Sequence, residues 1–165
     1  MTESKGHGAM QVGIKKLQEN EWLVHIGCAR IKMNRFAVEL LNITLEHLTM
    51  LENGQSHSTF ESYIKLGLRL SNLDDRNLQK VLSEIDSVHI LNLLLAANSP
   101  DFAEHILQNM GAILANQLRA DLEMAIVPDE FTAKKSIQAV VEKMLRLEEA
   151  GEIVFINKNT ITRYI

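Results

Sequence analysis

The stretch Leu147-Glu148-Glu149-Ala150-Gly151-Glu152-Ile153-Val154-Phe155 ends a run of apolar residues at helical spacing and closes it on a glycine. Just upstream, Ile137, Val140, Val141, Met144 and Leu145 stand at i, i+3, i+4, i+7 and i+8, the pattern of one buried helix face. Gly151 is placed for a left-handed C-terminal stop, which glycine adopts without the Cβ penalty of other residues. Thr132 or Phe131 is expected to open this helix. Beyond it, Ile153 to Ile156 and Ile161 to Ile165 flank Asn157-Lys158-Asn159 and read as a short C-terminal hairpin.

Working back toward the N-terminus, the same punctuation recurs. Leu114, Leu118, Leu122 and Ala125 form a stripe between Gly111 and Pro128. Ser99 precedes Pro100, a capping hydroxyl before a proline whose missing N–H costs nothing at the first helical position, and Phe102, Ile106 and Leu107 point inward. Ile90, Leu91, Leu93, Leu94 and Leu95 are apolar nearly all round, so their helix must be enclosed on several sides, with Asp86 or Ser87 as its cap. Leu78, Val81, Leu82 and Ile85 form a further stripe behind the Ser71-x-x-Asp74 box, with Asp74 and Asp75 suited to a positive helix end. Phe60, Tyr63, Ile64, Leu66, Leu68 and Leu70 make a helix that stops near Ser71.

Residues 1–58 read differently. Residues 1–10 lack periodicity and are expected to form a mobile tail. Val12 and Ile14 alternate with polar neighbours, Gln18-Glu19-Asn20 turns, and Trp22, Val24 and Ile26 alternate again, which predicts a hairpin. The apolar parity then shifts to Ala29, Ile31 and Met33, predicting a bulge near Gly27 or Cys28. Asn34 caps a helix carrying Ala37, Leu41, Thr44, Leu48 and Leu51 on one face, with Leu40 and Leu45 beside them. The expected organisation is a tail at 1–10, a small α+β annex at 11–52, a linker at 53–58 containing Gly54, and a helical domain at 59–165. The fold class is mainly α, a bundle of about six short helices with an N-terminal hairpin plus helix and a C-terminal hairpin.

The 165 residues are 46% hydrophobic and 23% charged, with eight Gly and two Pro, a composition that can bury a core. Six Lys and Arg balance six Asp and Glu up to residue 58, whereas eleven face fifteen beyond it, so the helical part holds the whole deficit of four. An acidic surface repels phosphate backbones and argues against generic nucleic-acid binding. With a lone Cys28 and an N-terminus without an apolar core, the chain is expected in the cytoplasm. No apolar run reaches the roughly 20 residues of a membrane span.

Chemical signatures are missing. There is no Gly-rich phosphate loop, no Cys-x-x-Cys and no His-Glu-x-x-His. His25 and Cys28 lie three apart but lack two further ligands, and read as a rim histidine and a buried thiol. His89 and His105 fall near helix starts without a nucleophile partner. The pairs Asp74-Asp75, Asp129-Glu130, Asp121 with Glu123, and Glu148-Glu149 read as helix-end or surface charges rather than as an acid–base site. Met33, Met110 and Met144 read as core filler. No catalytic residue, cofactor or metal is assigned, and the chain is expected not to be an enzyme.

The blocks Leu73-Asp74-Asp75-Arg76-Asn77-Leu78-Gln79-Lys80-Val81-Leu82, Asn109-Met110, Arg119-Ala120-Asp121-Leu122-Glu123 and Arg146 to Val154 occur in an order that resembles the C-terminal domain of the flagellar motor switch family, FliG. The resemblance covers about residues 60–156 and leaves residues 1–58 outside. It implies a non-enzymatic cytoplasmic rotor module, at the flagellar basal body, that meets stator or switch-ring proteins through a ridge of charged side chains. At the family's ridge positions this chain carries Leu95 and Ile113, then Ala120 and Asp121, then Asp129, with Arg119 and Glu123 alongside; only Asp121 keeps the family's charge. A Gly-Pro of the family becomes Ile126-Val127, and of its Met-Phe-x-Phe hinge only Phe60 remains. Three functions stay open: a motor-associated interaction module, the same scaffold used as an adaptor unrelated to motility, or a winged-helix DNA binder. The last draws on Lys134, Lys135, Lys143 and Arg146 in the final helix and on the terminal hairpin. Oligomeric state is open as well, a homodimer included.

Overall fold

The structure, a computed structural model, describes residues 11–156. Among these, three strands and seven α-helices follow one another in the order β1 (Val12–Gln18), β2 (Glu21–Ile26), β3 (Ala29–Met33), α1 (Arg35–Leu48), α2 (Thr59–Gly67), α3 (Asp75–Ser83), α4 (Ser87–Ala97), α5 (Pro100–Gln108), α6 (Ala112–Met124) and α7 (Glu130–Glu149). A 3₁₀ turn over Leu68–Asn72 extends α2. The mainly α class and the six helices after residue 58 agree with the sequence pattern. No helix among the described residues is long and apolar enough to cross a membrane.

The N-terminal hairpin is a three-stranded antiparallel sheet. Instead of bulging at Gly27, the chain reverses there: Ile26 pairs with Ala29, so Gly27 and Cys28 form a two-residue turn. Gly27 takes φ 61°, the positive value that tight hairpin turns require and glycine supplies. The parity shift seen in the sequence is the signature of this reversal. It places Trp22, Val24, Ile26, Ala29, Ile31 and Met33 on one face, and the β1 register adds Val12, Ile14 and Lys16 to it. The irregularity that does occur lies between Lys16 and Gln18. Cys28, expected to be buried, is exposed on the turn.

Asn34 caps α1 as its sequence position predicts, its side-chain oxygen accepting from the Ala37 N–H at 2.9 Å. The buried line of α1 is Phe36 and Ile43, with Leu40 packed against the core, while Leu45 and Leu48 face outward. The reading through Leu41 and Leu48 was rotated because Phe36, in the first turn, anchors the helix by an edge-on contact with Tyr63 of α2, ring centroids 5.5 Å apart. Helix α1 thereby packs on α2 and α7.

The core centres on α7, whose Ala133, Ser136, Ile137, Val140, Val141, Met144, Leu145 and Leu147 are buried against α4, α2, α1 and α3. Gly67 makes the closest approach possible: a Cβ there would stand 2.5 Å from Leu93 Cδ1. Besides α1, two helix starts are capped by side chains. Asp74 itself, rather than Ser71, caps α3 by accepting from the Asn77 N–H at 2.8 Å, and Ser99 caps α5 before Pro100 by accepting from the Phe102 N–H. Helix α7 ends as its sequence says. Gly151 has φ 73°, its N–H donates to Glu148 O at 3.0 Å, and the Glu152 N–H donates to Leu147 O at 2.9 Å, the paired bonds of a Schellman stop.

The expected C-terminal hairpin is not found in its described part. Ile153–Ile156 are in no strand; the Ile156 N–H donates to Asn72 O at 2.7 Å and Ile153 is buried, so the segment lies against the core beside the 3₁₀ turn. The rest of that hairpin and the expected tail at 1–10 lie outside the described residues.

Candidate functional site

Helix α6 buries one line, Ala115 and Leu118, with Leu122 packed against it; Leu114, expected in that stripe, is half outside. At 100° per residue, Ile113, Ala120 and Met124 lie on the opposite line, directed away from the core. Ile113 is 90% exposed and Met124 86%. The connection to α7 continues this surface with Ile126, 91% exposed, and Val127, followed by Phe131 in the first turn of α7. Ile113, Met124, Ile126, Val127 and Phe131 thus leave large apolar side chains exposed along one short stretch of chain, and an exposed apolar patch is a candidate contact site.

Charges border the patch. Asp121, on the flank of α6, accepts from Gln117 Nε2 at 3.0 Å, and Glu123 is exposed. Asp129 is the N-cap residue of α7, and its backbone oxygen accepts from the Ala133 N–H at 2.9 Å. Arg119 is held back by Glu104 at 3.1 Å, Lys134 by Glu130 at 2.7 Å, and Lys135 lies over the Phe131 ring at 5.0 Å. Among the described residues, Asp121, Glu123 and Asp129 have no ion pair.

The structure therefore places Ile113, Ala120, Asp121, Arg119 and Glu123 on α6 and Asp129 just beyond it. Leu95 is on α4 and half-buried, apart from this helix. Met124 carries no expectation from the sequence, and Phe131 only that of a helix start, so neither is expected on this surface. Met124 is four residues after Ala120 and eleven after Ile113, so its signal was available: it falls off the Leu118–Leu122 stripe.

Groups that could have suggested catalysis are tied into structure. Ser136 Oγ, buried on α7, accepts from Asn92 Nδ2 at 2.9 Å and meets His89 Nδ1 at 3.1 Å, which ties α4 to α7. His57 Nε2 meets Ser62 Oγ at 2.8 Å, with Thr44 Oγ1 at 3.2 Å, a cluster not foreseen from the sequence. Ser62 is fully buried, so its hydroxyl satisfies a packed interface and is closed to a substrate. A hollow of about 400 Å³ beside α3 is lined by Gln79, Leu82, Ser83, Gln108, Asn109, Met110, Gly111 and Leu114, which include neither a carboxylate nor a histidine for acid–base work. Among the described residues no three His, Cys, Asp or Glu gather closely enough to hold a metal ion.

The flagellar motor switch protein FliG of Borreliella burgdorferi is 37% identical over 82 residues, covering 50% of this chain and 24% of that protein. FliG of Thermotoga maritima is 38% identical over 82 residues, with the same coverage. The chain thus matches about a quarter of the length of these relatives. No solved structure matches. The family model of the FliG C-terminal domain matches residues 68–155, from the 3₁₀ turn through α7 to the buried Ile153 segment. With more than half of its length in that match, the chain belongs to the FliG C-terminal domain family.

Proposed function

We propose that this protein is a non-enzymatic interaction module of the flagellar motor switch, which works in the cytoplasm at the basal body and meets stator or switch-ring proteins through the outer face of α6 and the connection to α7. The observation that carries this reading is the family match over residues 68–155, together with the outward line of Ile113, Ala120 and Met124 on a helix inside that match. A rigid, capped scaffold suits such work, because it holds a contact surface without the ordering cost of a loop. The altered residues change how it would bind. Where the family has charges that orient transient contacts, Ile113 and Ala120 offer apolar area, so contact here gains from burial more than from steering.

The reading is tested by deleting the gene and by recovering tagged protein from motile cells. Impaired swimming, together with co-purification of stator or switch-ring proteins, supports it. Normal motility with no such partner overturns it and leaves the same scaffold as an adaptor for another task. The buried environment of α7 weighs against the winged-helix alternative. Eight of its residues face the core, and Lys134 and Lys143 are engaged by Glu130 and Glu84, whereas a recognition helix must present a free side to the groove.

A further inference from the structure

Helix α1 is apolar on two sides, and the core takes up only one of them. Phe36, Leu40 and Ile43 pack inward, Phe36 meeting Tyr63 of α2 edge-on, while Arg35 reaches Glu148 of α7. Roughly 120–200° round the helix from Phe36 run Val38, Leu41, Leu45 and Leu48, the line whose Leu41 and Leu48 the sequence pattern reads as a packing face. Its spacing of three, four and three residues is that of a coiled-coil seam. The three-stranded sheet covers the first half of this line. It touches α1 through β2 and β3, Val24 is buried outside the helical core cluster, and Val38 and Leu41 are half-buried. Beyond that contact both elements lie bare. Leu45 and Leu48 are 51% and 47% exposed, and on the sheet face that carries Val24, Val12 and Ile14 are each 67% exposed and Ile31 50%. The helix and the sheet start from one end, where Asn20 Oδ1 accepts from the Arg35 N–H at 2.9 Å, so they diverge from there and leave an apolar wedge open at the other end.

From these relations we infer that the wedge is the interface of a two-fold dimer, filled by the second half of α1 from another copy of this chain. The occupant follows from the seam. A heptad-spaced line accepts knobs from a helix of like spacing, and the residues that flank it, Ala37, Asn42 and Thr44, carry no charge to oppose a second copy or to select a different partner. The cations of the sheet stay out of the contact. Lys15, Arg30 and Lys32 alternate onto its other face, and Lys16, on the wedge face, lies over the Trp22 ring near the closed end. Because the sheet covers Val38 and Leu41, only the turn from Leu45 to Leu48 is free to pair. The two helices therefore overlap by their C-terminal halves and run antiparallel about an axis near Leu45, which sets Leu45 against the partner's Leu45 and turns Leu48 toward the partner's Ile14 and Ile31. The area suffices. Val12, Ile14, Ile26, Ile31, Leu45 and Leu48 expose on the order of 100 Å² each, and a homodimer interface about 65% apolar that buries them covers roughly 900 Å² per partner, the size of a stable complex. Kd is expected on the order of 1 µM. This surface precedes the family match, and the inference rests neither on the α6 face nor on the link to the flagellum.

Sedimentation equilibrium of the full chain from about 0.1 µM to about 200 µM tests this. The mass should rise from 18.6 kDa to twice that and stop there, because an isologous contact closes on itself, and added salt should change it little. Leu45→Glu and Leu45→Lys should each weaken association about 100-fold or more, since position 45 faces itself across the axis and like charges meet there. Mixed in equal amounts, the two variants should form the two-copy species again, now in a salt-sensitive way. I14S with I31S should weaken association about 10-fold by removing apolar area, whereas Ile113→Ser on the separate α6 surface should leave it unchanged. All these positions are exposed, so circular dichroism should match the wild type. A wild type that stays monomeric at the highest concentration gives the wedge to another occupant and overturns the inference. So does growth beyond two copies, a Leu45→Glu variant that still dimerises, or a mixture of the two Leu45 variants that stays monomeric. These outcomes read self-association only. Their failure leaves the motor reading standing, and normal swimming after deletion leaves the association result standing.

Discussion

Arg35, the first residue of α1, donates from its guanidinium to Glu148 Oε2 near the end of α7 at 2.9 Å, across 113 residues of chain. The same group reaches Glu149 Oε1 at 3.2 Å and the Leu145 carbonyl at 3.5 Å. One cation thus ties the N-terminal segment to the Leu147–Phe155 block, at a helix end where the dipole favours positive charge. The forked geometry is what lysine lacks. Arg35→Ala is expected to lower stability by about 1 kcal/mol, and Arg35→Lys to recover only part of it, because the pair is half-exposed and screened. Urea unfolding measures both. A cycle with Glu148→Ala should give a coupling of about 0.5–1 kcal/mol; zero coupling would mean that α1 is held without the Arg35–Glu148 pair, by the packing of Phe36, Leu40 and Ile43 and the other Arg35 contacts.

Gly151 makes a second, sharper prediction about the same block. Its φ is 73°, and nothing lies within 4 Å of where a Cβ would be, so Gly151→Ala meets no clash and pays only for the left-handed backbone. The expected loss is about 1 kcal/mol, and Gly151→Asn should lose less because asparagine tolerates that region. Equal losses for the two variants would show that the Schellman bonds fail for some other reason.

The residues that proved legible in the sequence are those whose roles are local. Ile137, Val140, Val141, Met144 and Leu145 announce a buried face by spacing alone, and Ser99 before Pro100 and Gly151 after Glu149 mark helix ends by their own backbone chemistry. What failed depended on partners distant in the chain. The rotation of α1 is set by Tyr63 meeting Phe36, and the third strand by a turn at Gly27 that a parity count cannot distinguish from a bulge. The candidate contact surface was half legible. Ile113 and Ala120 were placed by resemblance, whereas Met124 and Phe131 are apolar residues that a burial argument assigns to the core until the helix orientation is known.

Gly67 tests the packing of α2 against α4. Its missing side chain lets Leu93 Cδ1 enter the space, with Ile137 Cγ2 at 3.5 Å behind it. Both neighbours are fully buried, so an added methyl must displace a packed side chain. Gly67→Ala should cost about 1–3 kcal/mol, the range of overpacked cores. Leu93→Ala alone should cost about 2–5 kcal/mol through the cavity it leaves, and the double variant should cost clearly less than the two together, since the new methyl enters that cavity. Additive losses would place the strain elsewhere than at Leu93.

Lys80 supplies the pH test. Its ammonium lies 3.2 Å from Glu84 and 3.3 Å from Glu152, and the hydrogen bond to Glu84, then that to Glu152, raises its pKa above the ordinary lysine value. A raised folded-state pKa means that the native state holds this proton more tightly than the unfolded chain. The stabilisation is therefore fully present below the unfolded lysine pKa and is lost as pH rises through the folded one. Lys80→Met should be less stable than wild type at neutral pH, with the gap narrowing as the buffer passes the lysine range and also shrinking with added salt, because the side chain is exposed. Paired urea midpoints at several alkaline pH values measure the gap directly, and the pairing cancels titrations common to both proteins. A gap that stays constant with pH would assign the effect to the lysine stem packing beside Glu152, and would remove the charge from the account of how α3 holds the chain after Gly151.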